Sequence, residues 1–253
     1  MFAQLSKAVC LAVGMSFGLG AVSAATGAEN SQASGDEMTM LQSKLDKVEQ
    51  RATRVADINA VKRLQRAYGY YIDKGLWDEA AALFAKNGTY EFGQRGVYVG
   101  PTHIKKALAL FGPEHLEPGQ LNNYMMLQPI IDVAPDNKTA KARWRSDVLL
   151  EKNGEGRWGG GVYENTYVND HGTWKFQSLH YYVTQESDYD QGWGKKPFPM
   201  EGPSKEFPPD RPPTVVYKSL PDVYFPPYHY NNPVTDKPVH YGPDRAEKPE
   251  PKK

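Results

Sequence analysis

The sequence predicts a protein of the α+β class, and two observations carry that prediction. Between Asp57 and Phe111, apolar residues recur three and four positions apart, as on the buried side of helices, and one strand interrupts them. From Asn123 to about residue 184 the spacing changes to two, which is typical of strands separated by turns. Helices followed by an antiparallel meander favour a curved sheet with helices covering one face.

The helical part is predicted to begin at Asp57, a residue type that caps helices. The buried stripe of this helix comprises Ile58, Val61, Leu64, Tyr68 and Tyr71. Gly75 should end it, and a second helix from about Trp77 should stop at Asn87-Gly88. Gly100-Pro101-Thr102 opens a third helix because proline suits the first helical turn.

The strands supply the candidate pocket. One carries Tyr90 and Phe92, and four more are predicted at 123–133, 139–151, 158–168 and 173–184. Because side chains alternate between the two faces, Trp144 should point inward, and Tyr163 should share a face with Asn165. In the last strand His180 alternates with Ser178 and Tyr182, unless a bulge after Phe176 reverses its direction.

The first 24 residues are predicted to be a signal peptide. Lys7 precedes an uncharged apolar run, and Val22-Ser23-Ala24 has the small-x-small pattern of a cleavage site. The run is shorter than the roughly 20 residues of a membrane span. An uncleaved anchor is the alternative. We therefore expect a periplasmic or secreted mature chain with no membrane span and without the single cysteine, Cys10.

Three further segments flank or form the domain. Residues 25–40 are predicted to be a flexible linker, and residues 41–56 a helix with a seam of Leu41, Leu45 and Val48. That helix should lie against its own domain, residues 57–185, or against a neighbouring subunit. Residues 186–253 hold 15 of the 20 prolines. They predict an extended C-terminal arm whose aromatic rings anchor it to its own or a neighbouring subunit.

Several motifs occur in the order found in one known family. They are D-x-x-x-W-D from Asp73 to Asp78, L-F-A-x-N-G-x-Y-E, G-P-x-x-I-x-x-A-L from Gly100 to Leu108, and G-x-W-K-F. Together they resemble the SnoaL-like branch of the nuclear transport factor 2-like superfamily over roughly residues 55–185. The resemblance implies a cone-shaped sheet wrapped around the N-terminal helices. The same scaffold serves dehydratases, isomerases, cyclases, lyases and non-catalytic binding modules.

The resemblance also implies site residues. In scytalone dehydratase relatives, an aspartate four residues before a tryptophan stands in the pocket, and Asp73 has this spacing to Trp77. The alternative is that Asp73 caps the next helix. Where relatives often carry a histidine before an N-P-x-I step, this chain has Tyr124. We expect Asp73, Tyr124 and His180 to be catalytic, with a structural role as the alternative for His180.

A flat aromatic substrate would suit the expected cone. The residues predicted to bind it are Tyr71, Tyr90, Phe92, Trp144, Tyr163 and Asn165. Aromatic side chains offer large apolar contact surfaces, although ordinary core packing is the alternative for each of them.

Composition and motif spacing exclude several other functions. The 30 basic and 30 acidic side chains give no net charge, so nucleic acid is not an expected partner. The histidines lack metal-site spacing, and no glycine-rich loop follows a strand, so we expect no metal and no cofactor.

The sequence thus predicts an exported cofactor-independent lyase, forming a homodimer or homotrimer. It would dehydrate or deformylate an aromatic small molecule such as a lignin-type diaryl compound. The alternatives are an isomerase and a non-enzymatic binding or assembly module.

Overall fold

A computed structural model describes residues 26–222 and 224–240. The predicted signal peptide and the last residues of the arm lie outside that part. The described residues divide into two compact units, with the boundary between Gln50 and Arg51. Within the described residues, no helix combines the length and the apolar character needed to cross a membrane.

The first helix is longer than the sequence suggested. Helix α1 is Thr26–Asp73, so residues 41–56 are helical as predicted. The predicted linker before them was wrong from Thr26 onward, and so was the start of a new helix at Asp57. The whole segment lacks proline and is rich in good helix formers such as Ala, Glu, Gln and Met, which explains its continuity. Asp57 caps nothing within it and instead accepts a hydrogen bond from Trp174 Nε1 at 2.9 Å. Leu45 and Val48 are at least half exposed, so the described residues do not cover this seam.

The remaining elements follow the expected order. The helices are α2 (Trp77–Ala82) and α3 (Pro101–Ala109), and the strands are β1 (Phe84–Phe92), β2 (Val97–Val99), β3 (Leu121–Val133), β4 (Thr139–Lys152), β5 (Glu155–Asp170) and β6 (Thr173–Asp188). They form one sheet in the order β2-β1-β6-β5-β4-β3, in which β1 and β6 run parallel and the other neighbours antiparallel. Asn87-Gly88 does not end a helix but lies at an irregularity in β1.

One face of the curled sheet, here called the inner face, packs against the second half of α1. Tyr68 of the helix lies edge-on to Phe176 of β6, with ring centroids 5.6 Å apart, and to Phe84 at 6.4 Å. Such arrangements suit the ring quadrupoles. The α+β class and the curved mixed sheet around N-terminal helices are therefore confirmed.

The C-terminal arm covers part of the opposite, outer face of its own sheet. The Val183 N–H donates to the Tyr217 hydroxyl at 2.8 Å, and Thr214 donates twice to the Glu91 carboxylate. Further along, Arg143 of β4 donates to the Pro226 carbonyl at 2.9 Å. The arm thus supplies partners to polar groups that the sheet alone would leave unpaired.

Candidate functional site

Asp73 joins the end of α1 to strand β3. Its Oδ1 accepts a hydrogen bond from the Tyr124 backbone N–H at 2.7 Å. Asp73 does not cap α2, because the N-cap of that helix is Leu76, which makes no side-chain cap. Burial raises the pKa of Asp73, and the Tyr124 hydrogen bond and Lys74 oppose that rise. The carboxylate therefore fixes the main chain of Tyr124 relative to the helix.

Tyr124 borders two cavities. The smaller, of about 290 Å³, is a groove that includes Arg66, Tyr70 and Asp73. The larger, of about 430 Å³, is here called the chamber and lies at the inner face beside the end of α3. Its lining comprises Phe92, Gly93, Arg95, Leu110, Phe111, Tyr124, Leu150, Arg157, Val183, Glu186 and the arm residues 198–201. The chamber is large enough for a small aromatic molecule.

Arg95 brings a positive charge to the aromatic wall of the chamber. It lies in the turn between β1 and β2, and its guanidinium carbon is 5.3 Å from the Phe92 ring centre and 4.8 Å from that of Phe111. Its Nη2 donates to Glu201 of the arm, whereas its Nη1 is buried without a hydrogen-bond partner. A guanidinium between two rings gains cation–π attraction, and Glu201 uses only one of the two terminal nitrogens of its fork.

Glu186 and Tyr124 bring a carboxylate and a phenol to the same chamber. Burial is the main reason that the pKa of Tyr124 lies well above its ordinary value, and Tyr181, Tyr90 and Glu186 raise it further while Arg95 lowers it. Arg157 Nη1 lies 3.5 Å from Glu186 Oε1. A phenol with such a raised pKa stays protonated near neutral pH and can donate a hydrogen bond or a proton.

Behind the chamber, the cone is filled by tyrosine side chains. Burial raises the pKa of Tyr68, Tyr90 and Tyr163, and neighbouring phenols add to the rise for Tyr68 and Tyr163. The buried hydroxyls of Tyr90 and Tyr163 make no hydrogen bond of good geometry. The Tyr68 hydroxyl is near enough to affect the pKa of Tyr90, and the Ser146 hydroxyl is near enough to affect the pKa of Tyr163. A Cβ at Gly161 would meet the Tyr181 ring at 2.4 Å, so this glycine makes room for that ring.

The structure does not bring His180 to Asp73 and Tyr124. Tyr167 pairs with Phe176 and Thr166 with Ser178, so β6 has one extra residue after Phe176. This bulge, which the sequence left open as an alternative, turns His180 to the outer face. There its ring stacks on Tyr182 at 3.8 Å, and its Nδ1 lies 3.5 Å from Glu91 Oε2. Burial lowers the pKa of His180 to about 3. The expected three-residue catalytic group is thus not assembled, because the bulge reverses the strand phase.

The predicted substrate-binding residues lie in different parts of the structure, and not all of them reach the chamber. Phe92 lines the chamber, whereas Tyr71 packs beside the core. Tyr90, Trp144 and Tyr163 face inward as their strand phases predicted, but they are almost fully buried. Their rings therefore form the packed core behind the chamber.

Asn165 belongs to a buried polar network. Its Nδ2 donates to Gln65 Oε1 of α1 at 2.9 Å, and its Oδ1 accepts from the His180 backbone N–H. The Tyr167 hydroxyl also donates to Gln65 Oε1, at 2.9 Å, and accepts from Trp144 Nε1 at 3.1 Å. This network ties α1 to β4, β5 and β6, and it leaves Asn165 no evident group for a substrate.

Sequence reasoning missed the charged residues of the chamber. Arg95 lies in a turn and Glu186 lies beyond the predicted end of the last strand, while Glu201 comes from the arm. The Gln94-Arg95-Gly96 turn between two aromatic strands was the one local signal. Across residues 26–222 and 224–240, no three His, Cys, Asp or Glu side chains are grouped to hold a metal ion.

Solved structures with similar folds include three of interest. A putative scytalone dehydratase from Novosphingobium aromaticivorans is 23% identical, with 55% of this chain and 91% of that chain covered and a TM-score of 0.48. An NTF2-like protein from the same organism is 18% identical, with 53% and 85% covered and a TM-score of 0.44. A type 2 hexachlorocyclohexane dehydrochlorinase is 18% identical, with 53% and 90% covered and a TM-score of 0.45.

No curated protein sequence matches this chain. The family profile described as a SnoaL-like domain matches residues 53–180, which is half of the chain. That region contains α2, α3, strands β1 to β5, the end of α1 and the first half of β6. The chain therefore belongs to the family of SnoaL-like domains, of the nuclear transport factor 2-like fold.

Proposed function

We propose that this protein is an exported, cofactor-independent lyase that acts on an aromatic small molecule in the chamber. One observation carries the proposal: Glu186 and Tyr124 line the same aromatic-walled cavity, and the charge of Glu186 contributes to the raised pKa of the Tyr124 phenol. A carboxylate can accept a proton and a protonated phenol can donate one or stabilise an oxyanion. The SnoaL-like family membership supports the proposal, because this fold hosts such enzymes.

Two reactions would use this pair. In dehydration, Glu186 takes a proton from the carbon beside the alcohol carbon, a C=C bond forms, and the hydroxyl leaves as water with a proton from Tyr124. In deformylation, Glu186 takes the proton of a hydroxymethyl group, the C–C bond breaks and formaldehyde leaves. The electron pair stays on the carbon beside the ring, which then receives the proton that Glu186 took from the hydroxyl, so the carboxylate is restored. A lignin-type diaryl alcohol could undergo either reaction.

Asp73 has a positioning role in this proposal. It borders the groove rather than the chamber, and its hydrogen bond holds the backbone of Tyr124. The catalytic base that the sequence placed at Asp73 or His180 is here assigned to Glu186.

The test is incubation of the purified protein with aryl alcohols that either can lose water or carry a hydroxymethyl group. Mass spectrometry detects dehydration, and trapping detects formaldehyde. We expect one of the two products from the wild type. The matched variants are Glu186→Gln, which should lose turnover, and Glu155→Gln at an exposed site on β5, which should keep it. Absence of conversion across the panel contradicts the proposal.

A second candidate is a binding module without turnover. The packed tyrosines behind the chamber favour it, because they leave cavity space only at the mouth of the cone. Saturable binding of panel compounds without any product would support this alternative.

Export and assembly also belong to the proposal. The Val22-Ser23-Ala24 site supports cleavage after residue 24, which an intact-mass measurement on protein from the native host would detect. The exposed seam of α1 supports a homodimer or homotrimer. Light scattering would contradict that assembly if it gave the mass of a monomer.

A further inference from the structure

The chamber contains a positive group that its own chain satisfies in part. The Arg95 side chain is 13% exposed and its Nη1 is buried without a partner. A buried guanidinium with an N–H group that has no acceptor destabilises the fold, because its lost hydration is not fully replaced by hydrogen bonds. The site therefore favours an additional oxyanion.

The present partner of Arg95 is poorly secured. Glu201 contacts Nη2 alone, and its own side chain is 70% exposed. An exposed carboxylate in a single contact contributes little to stability and is easily displaced. A ligand carboxylate could instead engage the guanidinium through two parallel hydrogen bonds, which is the stronger and more specific geometry.

The surroundings indicate what else such a ligand carries. Phe92 and Phe111 enclose the guanidinium, and their rings meet edge to face at 5.0 Å. The arm adds Phe198, whose ring lies 5.0 Å from the Arg157 guanidinium carbon. In sequence, Phe198 and Glu201 place a ring and a carboxylate three residues apart within the chamber lining. The arm thus presents the two groups of an aromatic acid.

We propose that Arg95 anchors the carboxylate of an aromatic acid and that Glu201 occupies this anchor when the chamber is empty. This inference rests on the proposed function, since it names the substrate class of the same chamber. The charge of Arg95 also acts on the Tyr124 phenol, so an anchored acid would lie near the proposed proton donor. Glu201 competes with the ligand for the Arg95 guanidinium, and a ligand that carries a carboxylate displaces it more effectively than a neutral ligand does.

The experiment measures equilibrium binding of trans-cinnamate and of its neutral analogue cinnamamide by calorimetry, at one ionic strength. The wild type should bind cinnamate about tenfold or more tightly, as expected for a charge-assisted pair. Arg95→Met should remove this preference, and Arg95→Lys should keep part of it because the charge remains without the fork. Glu201→Gln should tighten cinnamate binding severalfold and leave cinnamamide binding unchanged.

Glu206→Gln is the matched control, because Glu206 is an exposed carboxylate of the same arm that does not line the chamber. It should leave both affinities unchanged. Equal affinity for acid and amide, an Arg95→Met protein that keeps the preference, or no binding of cinnamate would each overturn the inference. So would unchanged cinnamate affinity in Glu201→Gln, a variant at an exposed position that should fold normally. Binding is read without turnover, so a failure of the lyase proposal alone would leave the acid preference intact.

Discussion

The outer and inner faces of the sheet both bury polar groups, but they satisfy them differently. On the outer face, the arm brings Thr214 to Glu91 and the Pro226 carbonyl to Arg143. At the mouth of the inner face, Arg95 and Glu186 border an open chamber. Charges whose partners are buried with them serve the fold, whereas Arg95 and Glu186, whose partners Glu201 and Arg157 are exposed, are available to a ligand.

The largest expected effect concerns stability at the outer face. Arg143 Nε lies 3.0 Å from Glu164 Oε1, and its guanidinium lies over the Tyr228 ring at 4.1 Å. Arg143→Met removes one partner of a buried pair and should cost about 3–5 kcal/mol of unfolding free energy. Urea denaturation measures this cost. Arg145→Met, at an exposed position of the same strand, should cost less than about 0.5 kcal/mol. Equal costs would contradict the structural role of the arm contacts.

A second effect of the outer face is its pH dependence. Because the folded pKa of His180 is about 3, below its ordinary value of 6.5, the unfolded chain binds more protons between these values. Stability should therefore fall as the pH drops below about 6.5, by up to about 1.4 kcal/mol per pH unit. Glu91 faces this ring, and its raised pKa acts in the opposite direction.

Comparison with a variant isolates the histidine. Denaturant midpoints of the wild type and of His180→Gln, measured from pH 7 to pH 5, should diverge as the pH falls, with the steeper loss in the wild type. His103→Gln, at a half-exposed histidine on α3, should follow the wild type. Parallel curves for His180→Gln and the wild type would show that this ring is not buried as described.

The smallest expected effect on stability concerns Asp73, which lies between the groove and Tyr124. Asp73→Asn keeps an oxygen that accepts the Tyr124 N–H, so it should change unfolding free energy by less than about 1 kcal/mol and preserve kcat. Asp73→Ala removes that oxygen and should lower kcat more than it raises KM. If Asp73→Asn instead lowers kcat by roughly two to four orders of magnitude with folding unchanged, Asp73 is the base that the sequence first suggested.

The sequence predicted the fold well because hydrophobic periodicity decides it. Alternation placed Trp144 and Tyr163 on the inner face, and Gly100-Pro101 marked the start of α3. Local sequence patterns did not predict side-chain directions that depend on the pairing of distant strands. Thr166 pairs with Ser178 and Tyr167 with Phe176, which confirms the bulge after Phe176 that the sequence left open. Period-two alternation alone could not decide whether this bulge forms, and the bulge reversed His180.

The site was harder to predict for the same reason. Arg95 and Glu201 are separated by 106 residues and meet because the arm returns over the sheet. No spacing rule connects such positions. Tyr124 was found through its strand and because it stands where relatives often carry a histidine, and the structure places it in the chamber.

In the proposed reaction, Glu186 and Tyr124 carry the chemistry as a pair. The most direct test is kcat for Glu186→Gln and Tyr124→Phe on a substrate that the aryl alcohol panel identifies. We predict that each substitution lowers kcat by roughly two to four orders of magnitude, while circular dichroism and the unfolding midpoint stay near those of the wild type. Wild-type kcat in both variants would contradict the claim.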